Sequence, residues 1–234
     1  QGPCNGGWVT RLWLTGAVIV LGCSPQDREP SVRSAGTASD SASPTLASLP
    51  ATSPEWQIRR EAPGPISSST SEADLRGRYG SSAVENSRIQ IGEGETAPGT
   101  VIYPADSLRR AEIIWQDTLA RRRPARIILR GDQSKWQVSR GITLGTSLRE
   151  LEQLNGRPFT LAGFGWDYAG AVTDWNKGAL DSVLAGVMLY LDPGPTQYES
   201  APYAQVLGDR DYSSALPAMQ QLNPRVSQIF IDFE

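Results

Sequence analysis

The chain has 234 residues with 22 basic against 25 acidic side chains, a formal net charge of −3, two cysteines and no histidine. A mildly acidic balance argues against nucleic acid as a partner, because a basic face supplies most of that affinity. The missing histidine excludes Ser-His-Asp and Cys-His nucleophiles, the commonest zinc and iron ligand, and the usual proton carrier near neutral pH. Carboxylate, lysine or tyrosine chemistry and hard-cation binding by oxygen survive. No cofactor, metal-ligand set or catalytic residue is predicted.

Leu12 to Cys23, LWLTGAVIVLGC, is an apolar run behind Arg11 that closes on Val20-Leu21-Gly22-Cys23. About ten apolar residues are too few for a hydrocarbon core, which needs roughly twenty, and suit the apolar part of a signal peptide. The closing residues resemble the lipobox of bacterial lipoproteins. That resemblance implies a signal peptide over 1–23, lipid on Cys23 and membrane attachment through it, stable because each buried methylene contributes about 0.8 kcal/mol. Ser24, where Asp would mark inner-membrane retention, implies the outer membrane of a Gram-negative bacterium with the domain in the periplasm. With Cys23 acylated, the mature chain keeps no thiol for a disulfide, so the fold is expected to stand on its core.

Residues 24–70 are rich in Ser, Ala, Thr and Pro. Such composition buries too little apolar surface to offset ordering entropy, so the stretch is predicted to be a disordered tether, with Glu55-Trp56-Gln57-Ile58-Arg59-Arg60 as spacer inside it and a short docking strand as the alternative for that segment. The folded α+β domain is expected over 71–234.

Two segments carry the same helix signals. Ser71 precedes acidic residues, Leu75 and Gly80; Ser147 precedes Glu150, the Leu148/Leu151/Leu154 stripe and Gly156. Each reads as an N-capped short helix with a glycine stop. Strand-like runs follow each helix: 88–91, 100–103 and 111–115 after the first, 159–161, 170–173 and 183–191 after the second. Residues 125–129 and 134–138 are predicted to form a hairpin turning at Gly131-Asp132, and 226–233 alternates as a closing strand. The expected architecture is a mainly antiparallel sheet with short helices on one face, in two related halves, 71–140 and 141–234.

The densest unusual cluster is Phe164-Gly165-Trp166-Asp167-Tyr168 with Asp174-Trp175 shortly after. Exposed rings beside carboxylates would stack on a sugar and accept its hydroxyls, so Trp166, Asp167, Tyr168, Asp174 and Trp175 are the candidate ligand-binding residues. Along a strand, Phe164, Trp166 and Tyr168 would share one face, and the core is that stripe's expected fate. Glu93 and Glu95, or Asp167 and Asp174, would be the carboxylate pairs for glycan hydrolysis or calcium. Arg121-Arg122-Arg123-Pro124-Ala125-Arg126, with Arg109 and Arg110, is expected to be a charged hairpin loop, with anionic headgroups as the competing use. Gly208 to Tyr212 has only the outline of a calcium loop.

From Gly141 through GTSLRELEQLNGRPF to GFGWDYAG and Asp174-Trp175, with GEGETAPGTVIYP and AEIIWQD upstream, the chain resembles a family of uncharacterised bacterial lipoproteins and exported proteins, over about residues 74–190. The resemblance implies location and no activity. The Gly141 to Leu151 stretch is also similar to β-lactamase inhibitor-like periplasmic modules, which bind proteins. The expected function is therefore a non-catalytic module that binds an envelope protein or glycan. A carboxylate-dependent glycan or peptidoglycan hydrolase is the alternative.

Overall fold

The computed structural model describes Leu49 and residues 53–60, 64–92 and 94–233. The leader, Cys23 and most of the expected tether lie outside the described residues. Among those described, no helix is long and apolar enough to cross a membrane.

Two helices start where the serines place them. In α1 (Glu72–Tyr79) the Ser71 hydroxyl accepts from the Asp74 N–H while the Asp74 carboxylate accepts from the Ser71 N–H; Ser147 and Glu150 repeat this at α2 (Leu148–Asn155). Each capping box satisfies two backbone donors that the first turn leaves unpaired. Gly156 closes α2 in the left-handed conformation, and Leu148, Leu151 and Leu154 are buried along one face.

The strands are β1 (Val84–Gln90), β2 (Thr96–Ile102), β3 (Ala111–Asp117), β4 (Arg122–Arg130), β5 (Thr160–Ala162), β6 (Val172–Asp174), β7 (Val187–Asp192), β8 (Asp211–Ser213) and β9 (Arg225–Asp232). Short helices α3 (Leu180–Val183), α4 (Ala201–Ala204) and α5 (Pro217–Leu222) lie between the later strands. An antiparallel six-stranded sheet has the order β1-β2-β3-β4-β9-β7, and a small antiparallel sheet the order β6-β5-β8. The fold is thus α+β and mainly antiparallel, as its alternating runs and capped helices predict.

Alternation splits the large sheet into two chemistries. Ile113, Ile127, Leu129, Leu189, Ile229 and Ile231 point into the main core, which also holds the α2 leucines, Phe159 and Leu161. Their neighbours Glu112, Ile128, Arg130, Gln228, Phe230 and Tyr190 face the other way, and Ile128, although buried, does not belong to the main core.

Four expectations change. The two halves do not repeat: β1 to β4 form a continuous meander, whereas β5 and β6 enter the small sheet and β7 joins β9 in the large one. The hairpin of 125–129 with 134–138 does not form, because β4 takes β3 and β9 as its two partners. Residues 134–138 instead sink Trp136 into the core, its indole N–H donating to the Arg109 carbonyl at 2.7 Å. The basic segment is loop only as far as Arg121; from Arg122 it is strand, with Pro124 opposite Trp115 beside the β3 bulge, a position that proline's missing N–H suits.

The fourth change concerns the chain before Ser71. The described residues there pack on the domain. Trp56 meets Trp136 edge to face with centroids 4.9 Å apart, Ile58 donates its N–H to the Gln137 carbonyl at 2.8 Å, and Gln137 returns a bond to the Trp56 carbonyl. Ile58 is 2 % exposed, Ile66 is fully buried, and the Arg60 side chain donates to the Ala185 carbonyl at 2.7 Å. Composition averaged over the window hides three apolar anchors that fill places in the core.

Candidate functional site

The open face of β4, β9 and β7 floors a groove of about 1320 Å³. Its polar centre is Arg130. Nη1 of Arg130 donates to the buried Glu112 carboxylate at 2.6 Å, Nε to the Gln228 amide oxygen at 3.2 Å and Nη2 to the Gln90 carbonyl at 2.7 Å. Arg110 reaches the same Glu112 at 2.8 Å, so that carboxylate holds two guanidinium groups and its burial is compensated. Beside Arg130 lie Phe230 and Tyr190, with ring centroids 5.1 Å apart, and Arg126 and Arg130 rest over the Phe230 ring. Burial pushes the Tyr190 phenol up against the opposing charge of Arg126, so it is a neutral donor at physiological pH.

Trp166, Asp167 and Tyr168 overhang this floor. Trp166 is 58 % and Tyr168 70 % exposed, which corrects the expectation of a buried stripe. The strand reading fails because Gly165 has φ +84° and the Ala169 N–H turns back to the Trp166 carbonyl at 2.9 Å. Phe164 alone enters the core, stacked on Tyr203 at 5.6 Å. At the loop's other end Gly170 has φ +70°, and a Cβ there would run into the Leu191 carbonyl. Leu191 donates its N–H to the Gly170 carbonyl at 2.9 Å, so both ends of the loop are pinned while its tip stays open.

The far wall carries Asp192 and Tyr198. The Tyr198 hydroxyl donates to the Asp192 carboxylate at 3.0 Å, and the Gly194 N–H donates to it as well. Burial and then this hydrogen bond push the Tyr198 phenol up to about 12.

The remaining predicted residues do not join the groove. Trp175 is 8 % exposed and packs on Phe159 with centroids 5.0 Å apart, and Asp174 accepts from the Asn176 N–H at 2.6 Å, holding a turn. Asp167 and Asp174 are therefore separated into different surroundings rather than converging. Glu93 lies outside the described residues, and Glu95 is exposed at the β1–β2 turn. In the basic segment, Arg121 meets Glu72 at 3.5 Å, Arg122 meets Asp117 at 2.9 Å and Arg126 meets Asp232 at 2.5 Å; upstream, Arg109 meets Asp106 at 2.6 Å. Much of that charge is spent within the chain. The Gly208–Tyr212 stretch closes on itself, Arg210 donating to the Tyr212 hydroxyl at 2.7 Å. Among the described residues, no three His, Cys, Asp or Glu side chains gather as a metal site.

Sequence reasoning missed the floor residues Arg130, Tyr190, Gln228 and Phe230. The signal was present in β9, where Gln228, Phe230 and Asp232 alternate with Ile229 and Ile231, and in β4, where Arg126 and Arg130 frame the apolar run. Comparison with protein-family models, curated proteins and solved structures finds no match.

Proposed function

We propose that this chain is a non-catalytic binding module that takes an envelope component into the groove between the Trp166–Tyr168 loop and the open face of β4, β9 and β7. The observation that carries this reading is the exposure of two large rings on a loop pinned at both ends. A rigid exposed aromatic loses little entropy when it docks, and a soluble domain otherwise buries such surface. The lipobox supports the accompanying reading, attachment through lipid on Cys23 at the outer membrane with the domain in the periplasm. Kinship with the uncharacterised exported lipoproteins belongs to the same proposal, resting on GTSLRELEQLNGRPF and GFGWDYAG.

The hydrolase alternative needs two convergent carboxylates; of the pairs expected for it, Asp167 lines the groove without Asp174, and Glu93 of the Glu93/Glu95 pair lies outside the described residues. The test is retention of the full chain on washed envelope fragments, with soluble products assayed in the same tube. Binding without product release, weakened by Trp166→Ala, supports the reading; product release that Asp167→Asn abolishes contradicts it.

A further inference from the structure

Resting on the binding reading, we infer that the groove's ligand is an uncharged oligosaccharide strand several units long. Three observations narrow the class. The first is which groups are free. Among the described residues, the Trp166 indole N–H, the Tyr168 hydroxyl, the Tyr190 hydroxyl and the Asp167 carboxylate have no hydrogen-bond partner within the chain, while the rings that carry three of them are presented to the groove. Rings for the C–H face of a pyranose, mixed with neutral donors and a carboxylate for its hydroxyls, are the complement of a sugar.

The second is charge. Arg130, the cation at the floor, already spends its three donor nitrogens on Glu112, Gln228 and Gln90, and Arg225 donates to the Gly145 carbonyl at 2.8 Å. Asp132, Asp167 and Asp192 also line the groove. A polyanion such as a phosphorylated glycan would meet three carboxylates against two guanidinium groups, Arg130 and Arg225, whose nitrogens are already engaged within the chain, which disfavours it.

The third is backbone. An extended peptide is captured most often by adding a strand to an open sheet edge. β4 and β9 are each paired on both sides, and the end of β7 that borders the groove is covered by the Ala171–Tyr190 bridge and the Leu191 to Gly170 bond; β1, the sheet's other edge, meets the groove only at its C-terminal end, where the Gln90 carbonyl accepts from Arg130 and the Ile91 N–H donates to the Glu95 carbonyl. Side chains are left to do the recognising. A volume of about 1320 Å³ exceeds the roughly 300–1,000 Å³ of a small-molecule site, so the site suits a chain of sugars better than one.

The experiment is titration calorimetry of the full chain with cellohexaose, mannohexaose and N-acetylchitohexaose, each beside its disaccharide, at 50 and 500 mM salt, and with heparin as the anionic control. The expected result is saturable binding of at least one hexasaccharide, at least tenfold weaker for its disaccharide, insensitive to salt, and weakened at least tenfold by Trp166→Ala and by Tyr168→Ala. Leu119→Ala, an exposed residue on the β3–β4 turn, should change nothing. Both ring substitutions lie on the surface, and an unchanged melting curve shows that the fold is kept. Salt-sensitive binding of heparin alone would overturn the uncharged assignment. If no sugar binds but envelope fragments are still retained in a Trp166-dependent way, the glycan assignment falls and the binding reading stands. If Trp166→Ala alters neither, both fall.

Discussion

Replacing Ile58 by alanine separates a docked segment from a spacer. Ile58 is 2 % exposed and sits in the main core, while the backbone bonds that flank it, Ile58 to Gln137 and Gln137 to Trp56, do not depend on its side chain. The substitution therefore removes buried carbons and leaves a void without breaking the bridge. Large-to-small changes of this kind cost about 2–5 kcal/mol, and about 3 is expected here. For a domain of this size each kcal/mol lowers the melting temperature by about 2–4 °C, so a drop of about 6–12 °C is expected. Urea unfolding of the full chain, followed by tryptophan fluorescence, should show the midpoint falling with the slope unchanged, since the exposed surface on unfolding is nearly the same. A change within about 0.5 kcal/mol, ordinary for a surface position, would mean that residues 53–60 do not dock on the domain.

Other substitutions test the framework around the groove. Gly170→Ala forces a Cβ against the Leu191 carbonyl at positive φ, and should cost more than about 1 kcal/mol, read by thermal melting. Ser147→Ala removes the α2 cap and should cost about 1 kcal/mol at pH 7. Hydrogen bonds from Ser147 hold the Glu150 carboxyl below its usual value, so its contribution is complete above the unfolded value of about 4.3 and is lost as pH falls through the lower folded value. The stability gap between the wild type and Ser147→Ala should therefore narrow as pH falls below about 4.3; a gap that stays constant refutes the capping account. Tyr79→Phe should leave stability unchanged or raise it by about 1 kcal/mol, because the Tyr79 hydroxyl is buried with no partner among the described residues, and a clear loss would reveal a bond there.

What could be read from the chain divides by distance along it. Helices α1 and α2 were legible because a serine, an acidic residue three positions on and a closing glycine are a local code. β9 was legible from its alternation. The partnership of β4 with β9 joins residues about a hundred apart, such as Arg130 and Gln228, and neither run names the other. Hence 134–138 looked like the natural mate of β4. The candidate cluster was found but not its geometry: Trp166 and Trp175 are nine residues apart, yet two positive-φ glycines turn one outward, while Phe159 takes the other into the core. The groove floor was invisible as a site because its residues are spaced across three strands, and only sheet order makes them neighbours. Ile58 stands in the one visible interruption of the Ser/Pro-rich window and reads as spacer, and Ile66 carries no signal at all, because isolated apolar residues do not alter the window's average.

The proposed ligand meets Trp166 on an open groove. Incorporating 5-fluorotryptophan into the full chain, assigning Trp166 and Trp175 with Trp166→Phe and Trp175→Phe, and recording fluorine spectra while solubilised envelope extract is added tests it directly. Trp166 should begin with a solvent-exposed resonance that shifts and broadens on addition, while the buried Trp175 resonance holds its position. A Trp166 resonance that never moves while other tryptophans do, or that is shielded from solvent at the outset, would contradict the account.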